Sequence, residues 1–203
     1  MAASLSPSRI PPGTVADTKV FPLSFSFFVP SFEASGLPTA RPNSMNNYGL
    51  VLDEIGLRGM IATFRDTFVA PLAARLYPQE GAHLVDHHAF IVKYQMDEDR
   101  QLDFHFDSSA VTINACLGKS FEGGALYFKG LADDPDSHEE DFGYDHQKGV
   151  ALLHMGKHRH GAMPITAGTR YNLIIWFQAP APVCHHDHCP VHEGGSCDEP
   201  HHQ

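Results

Sequence analysis

The sequence predicts a mainly β fold with flanking helices, a β-sandwich or jelly roll buttressed on one side. After Pro78, short runs rich in β-branched and aromatic residues succeed one another: AFIVKY, LDFHFD, AVTINACL, GALYFKG, GVALLHM and TRYNLIIWF. Gly, Asp or Pro clusters separate them, the pattern of many short antiparallel strands. Ahead of them, over 51–77, apolar residues recur at Leu57, Ile61, Phe64, Phe68, Leu72 and Leu76, the spacing of one buried helical face. A helix leading into a string of strands fits a two-layer sheet with helices on one face. The 203 residues, 42% of them hydrophobic, suffice for one domain with a substantial core.

Along the chain, seven of the 15 prolines fall within residues 7–42, so 1–43 reads as an extended arm that joins the fold as edge strand or loop. Pro71 should kink the 51–77 helix or start a second one. The folded domain is expected over 44–178, and 179–203 reads as a flexible tail.

The formal charge of −10 is unevenly placed. Seven acids and no Lys or Arg fall in 131–147, and four more acids without a basic residue fall in 184–203. The rest of the chain is nearly neutral, so nothing favours a nucleic-acid polyanion as partner. The acidic stretch lies between two predicted strands and reads as either a lid or substrate-facing loop or a solvated insertion. Cys116 sits in an apolar run while Cys184, Cys189 and Cys197 lie in the tail, which is not a disulfide framework. The run 20–32 is broken by Pro22 and Pro30 and is too short to span a bilayer. A cytoplasmic or nuclear protein is expected, and the Ser-rich, acid-free start leaves an organelle transit peptide open.

Fifteen histidines invite a metal hypothesis, and spacing narrows it. His105 and Asp107 form an H-x-D pair at the end of a predicted strand, where the period of two puts both side chains on one face. A further imidazole must come from elsewhere, and His154, His158 and His160 lie beyond the acidic stretch. Ten residues beyond His160 stands Arg170, and a Gly-containing turn in HGAMPITAGTR would leave His160 and Arg170 facing one pocket, with His158 the next candidate ligand. Two His and one carboxylate with three open positions is the arrangement of non-haem Fe(II) oxygenases, and a guanidinium nearby suits a carboxylate such as the distal one of 2-oxoglutarate. His154 and His158 are otherwise structural, His87 and His88 read as turn or surface residues, and Trp176 as core packing. The tail run CHHDHCPVHEGGSC has soft ligands but no C-x-x-C pair, and reads as adventitious rather than structured metal binding.

These segments resemble a known family. HFD at 105–107 with HGAMPITAGTRY at 160–171 is similar to the Fe(II)/2-oxoglutarate-dependent dioxygenase domain, in its prolyl 4-hydroxylase and procollagen-lysyl hydroxylase branch. FIVKYQMDEDRQLDFHFDSSAVTINACLG, with EGGALYF after it, is similar to the lysyl hydroxylase core, and RPNSMNNYG with LDEIG resembles the less characterised 2-oxoglutarate and iron-dependent oxygenase domain-containing group. The resemblance runs from about Arg41 to Phe177.

It implies a double-stranded β-helix (jelly roll) with His105, Asp107 and His160 as iron ligands. Arg170 and Tyr94 would bind the far carboxylate of 2-oxoglutarate, and Asn114, in preference to Thr112, would face the co-substrate. The implied reaction consumes dioxygen and 2-oxoglutarate, releases succinate and CO2, and hydroxylates an unactivated C–H bond, with ascorbate as reductant. The implied substrate is a peptidyl Lys or Pro in a protein or peptide. A small molecule or nucleic acid under the same chemistry, and a non-catalytic metal-binding or sensing module, are the competing readings.

Overall fold

A computed structural model describes residues 15–17, 28–36, 38–137 and 141–180. Eleven strands are named among them: β1 Val15–Asp17, β2 Gly49–Val51, β3 Asp86–Gln95, β4 Leu102–His105, β5 Val111–Gly118, β6 Phe121–Gly123, β7 Leu126–Leu131, β8 Phe142–Tyr144, β9 Ala151–Met155, β10 His158–Ala162 and β11 Ile165–Gln178. They form two facing antiparallel sheets, the larger ordered β1-β9-β5-β11-β3-β2 with β6 added to β11, the smaller β4-β10-β7-β8. This is the expected jelly roll. No helix of the described residues is long and apolar enough to cross a membrane.

The fourteen-residue β11 organises both layers. Because side chains alternate along a strand, Tyr171, Leu173, Ile175 and Phe177 face one way and Arg170, Asn172, Ile174 and Trp176 the other. The first set joins Ala89 and Ile91 of β3 and Val111, Ile113 and Ala115 of β5 in the core beneath the helices. The second set lines the space between the sheets. Each large apolar side chain fully buried in that core contributes roughly 1.5–3 kcal/mol.

Three α-helices cover the outer face of the larger sheet: α1 Phe28–Ser35, α2 Arg58–Phe64 and α3 Ala70–Leu76. A π-helical turn, Arg65–Val69, joins α2 to α3, and Pro71 sits in the first turn of α3, where its missing N–H is tolerated. The helical stretch expected over 51–77 is corrected at its start, since Val51 belongs to β2 and Gly56 holds a left-handed φ of 80°. Its buried face is corrected at Phe68. Leu57, Ile61, Phe64, Leu72 and Leu76 pack on the core, but the extra residue of the π turn buries Val69, Ala73 and Tyr77 most deeply and leaves Phe68 61% exposed. Three-and-four spacing cannot anticipate that slip.

α1, β1, β6, β8 and β10 lie outside the apolar runs read as strands or helix. β10, HRHGA, has little apolar content, and the turn expected to contain a Gly of HGAMPITAGTR falls at Met163 and Pro164. Gly161 lies within the strand, where a Cβ would collide with the Tyr127 ring. His87 and His88 are corrected from turn positions to residues of β3, with His87 buried.

The rotated helix face makes a direct test. Val69→Ala should lower the free energy of unfolding in urea by about 2 kcal/mol, while Phe68→Ala should change it by no more than about 0.5 kcal/mol.

Candidate active site

Between the sheets lies a cavity lined by residues of both. All six residues singled out from the sequence line it: Tyr94 from β3, His105 from β4, Asp107, Asn114 from β5, His160 from β10 and Arg170 from β11. His105 and His160 face each other across the β4–β10 ladder, with ring centroids 4.3 Å apart. Register shifts bracket His160 on both sides, and such irregularities re-aim a side chain relative to its ladder.

The two imidazoles are oriented alike. Nδ1 of His105 donates to the Asp103 carbonyl at 2.8 Å, and Nδ1 of His160 donates to the His158 carbonyl at 2.8 Å. A ring nitrogen that donates to a carbonyl leaves the other with its lone pair free, so both Nε2 atoms can act as ligands. They stand 3.4 and 3.7 Å from the two carboxylate oxygens of Asp107. One ligand atom from each of the three residues lies within 4.8 Å of the others, a spacing a single divalent cation can bridge.

Asp107 is held from behind. Its N–H donates to the Gly156 carbonyl at 2.9 Å, and Thr112 Oγ1 donates to Oδ2 at 2.7 Å. The Thr112 hydroxyl proton is thereby spent, so Ser109 Oγ, 2.8 Å away, must donate to Thr112 in turn. Burial alone would raise the Asp107 carboxyl, yet the His105 hydrogen bond and the neighbouring imidazoles bring it well below the usual carboxylate range. Burial also works against a charged His105, but bonds to Asp107 and Asp103 raise its pKa. His160 is pushed down to about 3 by burial.

At the other end of the cavity, Arg170 is fully buried on β11 opposite Tyr94 of β3. Nη1 donates to the Gly124 carbonyl, and the guanidinium lies 4.5 Å over the Tyr94 ring. Nε and Nη2 have no partner, and among the described residues no carboxylate forms an ion pair with Arg170. Gly123 and Gly124 both hold φ of +71°, and a Cβ on Gly124 would come within 2.7 Å of Nη1. The Gly-Gly pair thus sets a turn that only glycine enters easily and leaves room for the guanidinium.

Thr112 and Asn114 are two residues apart on β5 and share a face, so both line the cavity and the choice between them dissolves. Thr112 braces Asp107, while Asn114 Oδ1 accepts from Asn172 Nδ2 at 2.7 Å. Asn172 also donates to His146 Nδ1 at 3.2 Å, which fits a His146 ring whose Nε2 donates to the Val150 carbonyl. Burial pushes His146 down to about 3 and keeps it neutral. Trp176, expected as core packing, is on the cavity wall, edge-on to Phe90 at 5.0 Å.

His154 and His158 are buried but do not line the cavity. The described residues of the acidic stretch do not line it either. Asp133 and Glu80 pair with Lys157, and Asp141 lies 3.6 Å from Lys129. The Cys- and His-rich run lies outside the described residues. Asn43, Met45, Asn46, Asn172 and Trp176 also line the cavity, and no residue-type signal marks them as site residues, although the first three lie in RPNSMNNYG, one of the segments that carry the family resemblance.

Residues 23–82 match the family described as the OGFOD2-like domain. The chain is 47% identical over 150 residues to 2-oxoglutarate and iron-dependent oxygenase domain-containing protein 2 of Danio rerio, covering 73% of this chain and 44% of that protein. It is 36% identical over 109 residues to procollagen-lysine,2-oxoglutarate 5-dioxygenase 1 of Rattus norvegicus, covering 51% of this chain and 14% of that one. Its fold matches a Pseudomonas putida prolyl-4-hydroxylase crystal structure at a TM-score of 0.59 and 16% identity, over 84% of this chain and 95% of that one. The chain spans less than half the length of the domain-containing relatives it matches.

The buried neutral histidines set an acid limit on stability. His146 has a folded pKa near 3 against 6.5 for the free side chain, so between those values the unfolded chain binds the extra proton. Stability therefore falls as pH drops from about 6.5. Urea midpoints between pH 7 and 5 should show this slope, and His146→Gln should flatten it by roughly 1 kcal/mol per pH unit.

Proposed function

We propose, from the premise that this chain belongs to the Fe(II)- and 2-oxoglutarate-dependent oxygenase family, that it hydroxylates an unactivated C–H bond on a peptidyl Lys or Pro. The observation that carries this reading is the pairing of two unmet demands in one cavity. Three ligand atoms converge at one end with no cation-bearing side chain between them, and an unpaired buried guanidinium stands at the other. A buried charge without a partner is strongly unfavourable, so the pocket calls for a small anion that also reaches the metal position. A 2-oxo dicarboxylate meets both demands.

His105, Asp107 and His160 would hold Fe(II) through their Nε2 and carboxylate oxygens. Bound iron and 2-oxoglutarate supply the oxidising power, dioxygen being consumed as succinate and CO2 are released and one oxygen atom enters the substrate. The chain's residues position and exclude. Thr112 and Ser109 keep the Asp107 carboxylate in one orientation. The carbonyls of Asp103 and His158 fix the imidazole tautomers, and Arg170 with Tyr94 holds the distal carboxylate. Phe90, Ile174 and Trp176 form an apolar wall that keeps water from the reacting end. Ascorbate fits as the reductant.

A peptide substrate is supported by the likeness to a lysyl hydroxylase and by the surface at the cavity's edge. There Met45, Gln101, Phe104 and His105 line a surface depression next to the exposed Phe106. The buried free Cys116 and an Fe(II) centre suit a reducing compartment, the cytosol or nucleus.

With Fe(II), 2-oxoglutarate and dioxygen, Lys- or Pro-containing peptides should stimulate succinate release and gain the mass of one oxygen atom. Asp107→Ala should lower that coupled turnover at least about a hundredfold. Stimulation by small molecules or nucleic acid alone would reassign the substrate, and full turnover by Asp107→Ala would rule out the metal site.

A further inference from the structure

The segment 23–82 that matches the OGFOD2-like domain ends before the first residue of the triad, yet part of it reaches the cavity. Asn43, Met45 and Asn46, in the loop between Arg41 and β2, line the cavity, and Asn46 reaches Tyr94. Asn46 is 2% exposed.

The hydrogen bonds fix which way its amide points. Asn43 Oδ1 accepts from the N–H groups of Met45 at 2.8 Å and Asn46 at 2.7 Å, so Asn43 Nδ2 is left to donate. It donates to Asn46 Oδ1 at 3.1 Å. Asn46 must then turn its Nδ2 inward, where it donates to Tyr94 Oη at 3.5 Å. Its second amide hydrogen has no acceptor among the described residues, and neither has the Tyr94 hydroxyl proton. The loop is anchored on its far side, since Asn47 binds Asp99 through both N–H and Nδ2, at 2.7 and 2.8 Å.

Unused donor hydrogens are therefore gathered around the Tyr94 side chain: those of Nε and Nη2 of Arg170, the Tyr94 hydroxyl proton, and the second hydrogen of Asn46 Nδ2. Spare donors around a buried cation, with no carboxylate among the described residues paired to it, fit an anion with two oxygens. We infer that Asn46 directly contacts the distal carboxylate of 2-oxoglutarate, so that the loop from the amino-terminal matched segment completes the co-substrate pocket. This rests on the oxygenase reading. It assigns to Asn46 a binding role that the triad, Arg170 and Tyr94 do not cover.

Isothermal titration of the Fe(II)-loaded protein under argon tests it, with 2-oxoglutarate and with 2-oxobutyrate, which lacks the distal carboxylate. Asn46→Ala should weaken 2-oxoglutarate about tenfold, and the isosteric Asn46→Asp should weaken it further by placing a carboxylate against the anion. Neither should alter 2-oxobutyrate binding or Fe(II) affinity. In a Tyr94→Phe background, Asn46→Ala should still weaken 2-oxoglutarate several-fold. Absence of that further loss would mean that Asn46 acts only through Tyr94, and the inference would fall. It falls equally if 2-oxoglutarate binding is unchanged, or if both ligands weaken alike. Failure of the unsubstituted protein to bind 2-oxoglutarate would instead overturn the oxygenase reading beneath it.

Discussion

An arginine buried to 0% exposure with two of its three nitrogens unpartnered is the constraint around which this pocket is arranged. Arg170 reaches that position because β11 runs through the middle of the larger sheet and alternates its side chains between two environments. The strand's other face is fixed by Tyr171, Leu173, Ile175 and Phe177 in the helix-covered core, so a one-residue slip would exchange the two sets. The same register that buries Phe177 therefore turns Arg170 toward the cavity. Tyr94 shares its face as the direct cross-strand partner, and Gly124 leaves the guanidinium room.

The metal end is organised by a different device. His105 and His160 come from paired strands of the smaller sheet and Asp107 from the residues just after β4, so the three depend on contacts across several elements. Each is oriented by a group behind it: the Asp103 carbonyl, the His158 carbonyl and the Thr112 hydroxyl. These supports make the site's geometry a property of the folded sheets rather than of local sequence.

This division decides how much of the molecule is legible in its sequence. H-x-D, His160 and Arg170 stand out because chemistry requires unusual residues at fixed positions, and the strands rich in β-branched residues show their period of two. The helical spacing places Leu72 and Leu76 on the core but misplaces Phe68, since a π turn shifts the phase without leaving a compositional trace, exposing Phe68 and burying Val69. β10 escapes detection because a strand carrying His158, Arg159 and His160 has little apolar signal. Asn46 is hidden as well, because its role depends on a loop packing against a strand 48 positions away. The excess of acid is peripheral, for Asp133 and Asp141 answer nearby lysines and lie off the cavity.

The proposed function makes the Arg170 guanidinium a charge held ready for an anionic co-substrate, and not a structural strut. Thermal melting of Arg170→Met beside the unsubstituted protein tests this most directly, with and without 2-oxoglutarate in the presence of Fe(II) under argon. Without co-substrate, the substitution should melt no lower than the unsubstituted protein, because it removes an uncompensated buried charge. With co-substrate, only the unsubstituted protein should gain stability. A variant that melts well below the unsubstituted protein in the absence of 2-oxoglutarate, or one that is stabilised by it equally, would contradict this role for Arg170.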